Sequence, residues 1–447
     1  MPIRGVLMLA FFVASLPVCF IRPFYGIALW AVVAFLNPQS SIFYWSFAAS
    51  FPWAEAVAIP TLCGFVVFST GWVGRLATRE VYLMAVLWIW FTMTSIVSSQ
   101  TPLFMHHTQD TWYRWGFVSK ILLMTVVTIA IVDTFARLRI LVIVMAGCFG
   151  VLVLKSLPFI ILTGGAYRLF GPQFSMVGDN NDFGLALNMT LPLFMFLAQT
   201  ESNPWLKRLF GFLFVATIPA IFCTYSRGAL IGMTSVLGLA LLRLKQRAVY
   251  VPVVILAALI AFLFAPEAWK ERMNPGQSLD ASAVGRLNAW TFSWNLASDY
   301  PVTGGGFSTF TPDLYARYAP TGAVVLGPHS VYFGVLAEHG FAGLALYLGL
   351  VVACFAKARR LLRDAVFYED STVIGYVNMF QFSLVGFLVS GFFLGRAYFD
   401  YYFSIVACLV ILDRVARNSW AERPEEDAET LSEADEGYLL PGGGAIV

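Results

Sequence analysis

Charge is what this sequence has least of. Only 12% of its 447 residues are Asp, Glu, Lys or Arg, about half of the ~25% with which a soluble protein covers its surface. Apolar residues make up 59% and the mean hydropathy is +0.75. A soluble enzyme, a disordered scaffold and a nucleic-acid binder are excluded together; what is left is an all-α polytopic membrane protein. The six cysteines (Cys19, Cys63, Cys148, Cys223, Cys354, Cys408) lie in apolar runs and form no Cys-x-x-Cys pair, so neither a disulfide framework nor a zinc site is indicated. A Walker motif is also missing, so the chain does not hydrolyse ATP itself. No Asp-x-Asp pair occurs in the loops read below as external, which argues against a metal-bound nucleotide-sugar site.

The charge that is present is unevenly spread. Residues 1–417 hold 27 of the 28 Lys/Arg against 18 of the 26 Asp/Glu, a net of +9. Such a body suits anionic headgroups or an anionic lipid-borne substrate. Eight acids between Glu422 and Glu436 dominate the remainder, so residues 418–447 read as a disordered acidic tail behind a transmembrane body at 1–417.

A span needs roughly 20 apolar residues. Thirteen segments qualify: 5–21, 25–37, 54–72, 81–98, 118–134, 139–162, 183–199, 209–224, 228–242, 249–266, 331–354, 372–395 and 398–413. The first two are short enough to form one hairpin about Arg22-Pro23, which puts the expected count at 12 or 13. The opening segment has an early Arg4 and an apolar stretch like a signal peptide, but no small-x-small cleavage site, and reads as retained. Alternate short connections collect Arg75/Arg79, Arg137/Arg139, Lys207/Arg208, Arg243/Lys245/Arg247, Lys357/Arg359/Arg360/Arg363 and Arg414/Arg417. The excess of Lys and Arg on cytoplasmic loops assigns these, and the C-terminus, to the inside. The longest connection, 267–328, then lies outside. In it Val284, Leu287, Trp290 and Trp294 recur at helical spacing up to Pro301 and Gly304-Gly305-Gly306, which predicts a short amphipathic helix near the interface.

Ionisable residues are expensive in a bilayer, and those kept there are functional candidates. On the outer side they gather at a few places. Thr224-Tyr225-Ser226-Arg227-Gly228 joins two apolar runs; Ser226 suits an N-cap, and the following free amides with Arg227 would attract an anion. The alternative is a turn whose arginine snorkels to headgroups. Arg286 and Trp290 stand at i,i+4 in the loop helix, where a guanidinium can lie against the indole, or simply serve an interfacial helix. His329, where the loop re-enters the membrane, is a fitting general base, since imidazole titrates near working pH. Glu338 follows about 12 Å further along a helix, a depth that asks for a partner, one of these arginines. Arg168, Asp179 and Asp182 lie in the loop before 183–199; Asp182 reads as a helix N-cap, while Arg168 and Asp179 remain open as groups that hydrogen-bond sugar hydroxyls. His106-His107 with Asp110 is a weaker group, and Lys155 and Arg396 suit snorkelling.

In order and spacing, Ser226-Arg227-Gly228, Gly285-Arg286…Trp290, Pro301…Gly304-Gly305-Gly306-Phe307 and His329-Ser330…Glu338-His339-Gly340 resemble the O-antigen ligase/polymerase superfamily of bacterial envelope glycosyltransferases. Arg22-Pro23…Asn37-Pro38-Gln39 is more like a narrower branch, the O-glycosylation ligases associated with exosortase systems. The resemblance implies a C-type glycosyltransferase-like helical fold in the bacterial inner membrane. It also implies transfer of a glycan from an undecaprenyl-diphosphate carrier to a protein, lipid or glycan acceptor on the periplasmic face, without metal or other cofactor. Carried across, Arg227 and Arg286 would hold the diphosphate and His329 would activate the acceptor, and Glu338 matches the acid of the family's His-containing stretch. Beside them, Arg168, Asp179, Trp290 and Glu338 are the candidates for binding substrate. A polysaccharide polymerase, with a second lipid-linked glycan as acceptor, fits the same residues. A transporter or flippase would instead place polar residues near mid-span and often shows inverted repeats; here the costly residues gather at one edge.

Overall fold

A computed structural model describes residues 3–38, 51–243, 263, 265–273, 281–321 and 324–422. Most of the expected span at 249–266 and the acidic residues from 423 onward lie outside the described residues. Among the described residues every regular element is helical. Seven helices are long and apolar enough to cross a bilayer, accompanied by the shorter apolar helices Gly5–Ile21, Pro23–Leu36, Trp53–Phe68 and Arg227–Leu242. The chain is an all-α polytopic membrane protein.

The other twelve expected segments are all helical. Several extend beyond the apolar run that revealed them, among them Val331–Phe367. The helix expected at 118–134 begins at Thr108, so Arg114 lies within it. The last helix is Asp400–Ala421, which carries regular structure past the boundary expected at 417. Helix starts follow local chemistry. Thr134, Asp179, Asn203, Ser226 and Asp370 each accept a first-turn backbone N–H, satisfying donors that a helix start leaves open.

The helix Asn180–Thr200 is the centre of the bundle, packed by Pro204–Cys223, Arg227–Leu242 and Ser371–Gly391. Buried Asn188 ties three of these together, its amide donating to Ala229 O at 2.7 Å and to Ser390 Oγ at 2.9 Å. Polar groups in a bundle core hold helices together because hydrocarbon offers no alternative partner.

Arg79–Gln100 runs antiparallel to Val331–Phe367, and their two ends differ in character. At one end Lys357 bridges Glu80 (3.2 Å) and Asp413 (2.7 Å), Arg417 bridges Asp413 (2.9 Å) and Asp364 (3.0 Å), and Arg414 donates to the carbonyls of Arg75 and Ile129. These are the basic residues expected on the inner side. At the other end lie the long loop and the motifs.

Candidate functional site

The motifs meet on a short connection that the sequence did not single out, residues 392–399 between the last two helices. Gly228 lies against Phe393, where an added Cβ would sit 2.9 Å from the Phe393 Cβ. The Trp290 ring is 5.4 Å from Phe392 and 6.4 Å from Phe393. The Gly395 backbone backs onto His329, whose nitrogen is 3.4 Å from an ideal Cβ there. Arg396 forms an ion pair with Asp182 at 2.6 Å, and the Tyr398 hydroxyl donates to Glu338 Oε2 at 2.6 Å.

Each arm is fixed by its own short-range chemistry. At the 224–228 turn, Tyr225 takes a left-handed conformation (φ 56°) and its hydroxyl donates to Gly165 O at 2.9 Å. Asn180 Nδ2 clamps Thr224 O at 2.6 Å. As expected, Ser226 caps the next helix, its hydroxyl accepting from Ala229 N–H at 3.2 Å. Arg227 is therefore the first residue of a helix whose leading amides point towards its open end. Leu169 N–H donates to Cys223 O at 2.8 Å, which sets exposed Arg168 beside this turn. There the arginine's charge offsets part of the upward push that burial gives the Tyr225 phenol.

The loop helix is Ala281–Asp299, ending just before Pro301 as the spacing predicts. Trp290 fastens it to the re-entry point, with Nε1 donating to Pro328 O at 2.9 Å and the indole stacked on Phe333 at 5.0 Å and 10°. Asn288 adds a second clasp by exchanging two hydrogen bonds with the Thr321 backbone, both 3.2 Å. One indole face is thus given to Phe333, and Trp290 positions the loop helix against His329's neighbour.

His329 has φ 41°, a left-handed conformation that costs a non-glycine residue about 1–3 kcal/mol. It is half-buried. Burial first, then the positive charge of Arg286 and, less, that of Arg396, hold its imidazole below the ordinary pKa, with Asp179 opposing them. Arg286, Asp179, Arg396 and His329 thus share one electrostatic environment, although they come from four separate stretches of chain. Arg227 reaches the same connection through its neighbour Gly228.

Two expectations need correction. Asp182 is not the N-cap of Asn180–Thr200; Asp179 is, accepting from Asn181 N–H at 2.9 Å. Both aspartates suit a cap, but Asp182 turns inward to Arg396. Glu338 does not draw on Arg227 or Arg286 for its main contacts. It accepts from Tyr398 and, at 3.0 Å, from Ser308 N–H, with Arg114 the nearby cation.

Glu338 belongs instead to a joint between two motifs. The stretch 301–308 docks into the break of the Val331–Phe367 helix at Gly340. Gly305 N–H donates to Ala337 O (2.9 Å), Gly306 N–H to Glu338 O (2.9 Å) and Phe341 N–H to Pro301 O (2.8 Å). Ser98 Oγ and Thr111 Oγ1 donate to Gly305 O (2.6 Å) and Phe307 O (2.8 Å) from neighbouring helices. His339, fully buried, places Nδ1 2.7 Å from Thr94 Oγ1 and its ring between Phe91 and Phe307. The glycine run and the Glu-His-Gly run are one structural lock. Glu338→Ala removes both carboxylate hydrogen bonds and is expected to cost about 1.5–3 kcal/mol, read as a lowered unfolding temperature with faster proteolysis at 301–308. Glu338→Gln can accept only part of this pattern and should fall between.

The fold and this cluster define a class, a multi-pass helical membrane protein with its polar motifs gathered at one end of the bundle. Residues 212–348 match the family model described as O-Antigen ligase, and over that stretch the chain is similar to this family. The match takes in Arg227, Arg286, His329 and the joint at Gly340. Residues 3–200 match a second model, described as a family of unknown function. No curated protein matches the chain.

Proposed function

We propose that the protein is a membrane glycosyltransferase that moves a glycan from an undecaprenyl-diphosphate carrier to an acceptor hydroxyl on the periplasmic side, without a metal. The observation that carries this reading is the meeting of three motifs on the 392–399 connection, where Gly228 lies against Phe393, Trp290 against Phe392 and His329 against Gly395, with Arg227 opening a helix beside it. The acceptor hydroxyl gives its proton to His329 and its oxygen attacks the anomeric carbon. The bond from that carbon to the diphosphate oxygen breaks on the opposite face, and the diphosphate leaves with the electron pair. Its growing charge needs fixed positive groups, which Arg227 and Arg286 supply. Arg168 and Asp179, at the rim, contact the glycan, and Trp290 holds the loop helix that carries Arg286. The opening stretch suits the exosortase-associated branch, for which a protein would be the acceptor, while the acidic tail is a departure from the family's pattern.

The test is reconstitution of the purified protein in vesicles with a polyprenyl-diphosphate-linked glycan. Transfer to acceptor with release of polyprenyl diphosphate supports the reading, whereas donor crossing the bilayer with no glycan transferred would favour a transporter. A product ladder of multiplied repeat units would make the enzyme a polymerase.

A pH dependence follows from His329. Its pKa is lowered in the fold, so the base form persists to lower pH than for free imidazole. Arg286→Gln removes a charge that lowers it, so the acid limb of the residual rate is expected to move to higher pH. Stability carries the matching sign. Below about pH 6.5 the unfolded state takes up the proton first, so this group's contribution falls as pH drops.

A further inference from the structure

The connection at 392–399 carries one charged residue that the proposed chemistry has not used. Arg396 directly follows Gly395, whose backbone packs against that of His329, and its charge is felt at the imidazole. Its side chain is 26% exposed, while its partner Asp182 is 11% exposed, with 2.6 Å between them. A guanidinium has five N–H donors in a rigid fork. Asp182 is its one ion-pair partner among the described residues, and most of the fork is left to meet another anion. Asp182 is itself held by the start of Asn180–Thr200, where Asp179 caps the helix and Asn180 clamps Thr224. The aspartate that orients Arg396 is therefore rigidly tied to the turn that presents Arg227. On its other side, the backbone of Gly395 packs against His329.

We propose that Arg396 is a third anion-binding guanidinium of the site, contacting the diphosphate of the donor, and that Asp182 is the residue that positions it. This rests on the glycosyltransferase reading above. A bidentate fork turned by a buried carboxylate can follow a diphosphate from bound ester to free leaving group without moving its own support. Snorkelling to headgroups would need neither the carboxylate nor the contact with the histidine's backbone.

The experiment measures binding of inorganic pyrophosphate to the full-length protein in detergent, by calorimetry, for wild type, Arg396→Gln, Arg396→Lys, Asp182→Asn and the double variant Asp182→Asn/Arg396→Gln. Loss of one charge-assisted contact is expected to weaken binding about tenfold or more in Arg396→Gln, with Asp182→Asn between it and wild type. Arg396→Lys keeps the ion pair but not the fork and should also bind more weakly, so it serves if the glutamine variant does not fold. The double variant neutralises both members of the pair. If Arg396 matters only for holding Asp182, the double variant binds as wild type does, and the proposal is overturned. Wild-type binding in folded Arg396→Gln or Arg396→Lys overturns it equally, while leaving the transferase reading intact provided Arg286→Ala still weakens binding. If wild type itself binds no pyrophosphate, the diphosphate reading fails, and this inference with it.

Discussion

Gly340→Ala is expected to destabilise the protein by roughly 3–5 kcal/mol, the sum of backbone strain and overpacking. Gly340 has φ 68° and ψ −174° inside the helix Val331–Phe367, a region of backbone space open in practice only to glycine. A Cβ there would sit 2.6 Å from the carbonyl oxygens of Pro301 and Val302. Neither oxygen can retreat freely, since Pro301 O accepts from Phe341 N–H at 2.8 Å on the same break. The substitution therefore forces apart the joint that seats 301–308. Because Tyr398 and Glu338 are part of that joint, the damage should reach the 392–399 connection and with it Arg396 and His329. Thermal unfolding together with protease nicking across 300–321 would read both consequences. An unchanged unfolding temperature would mean that the loop does not depend on this break.

The second large effect is chemical. His329→Ala is expected to lower transfer by about 10²–10⁴-fold, the usual contribution of a positioned general base. Arg286→Ala should lower it by about 10²–10³-fold, as for removal of one preorganised charge-stabilising donor. Arg286→Lys should recover only part of this, because an ammonium lacks the planar fork that matches phosphate oxygens. The two kinds of damage are separable. Loss at His329 leaves the lock at Gly340 intact, so a folded, protease-resistant but inactive protein is expected, whereas Gly340→Ala is expected to lose both properties. Complementation of a strain lacking the native gene, with expression of each variant checked, measures the glycan products directly.

Much of this arrangement was legible because it is local. An apolar run of bilayer length, a Ser before Arg227 and a Pro after Asp299 each act within a few residues, and the helices begin and end close to where they imply. The excess of Lys and Arg at alternate connections likewise anticipated the ionic end built from Lys357, Arg414 and Arg417. What stayed hidden is held by contacts between distant stretches. Nothing in Asp179-Asn180-Asn181-Asp182 says which aspartate caps the helix, because both can; the choice is made by Arg396, far along the chain. Glu338 looked like the mate of a site arginine, since a carboxylate at that depth needs a partner. Its partners are a tyrosine hydroxyl and a backbone amide, which no charge-pairing argument would find. The glycine run at 304–306 and the Glu-His-Gly run are separately unremarkable and become intelligible only as the two halves of one hydrogen-bonded joint. Arg396 stays hidden for the same reason, since a lone cation at an outer helix end usually snorkels, and only its ion pair with Asp182 and the packing of Gly395 on His329 set it apart.

The most direct test of the central claim is an experimental structure of the full-length protein with a polyprenyl diphosphate bound. The diphosphate is expected within hydrogen-bonding reach of Arg227 and Arg286, with the His329 ring facing the position that the anomeric carbon would occupy. A diphosphate seated elsewhere, or an imidazole turned away from it by the Gly395 backbone, would contradict the account.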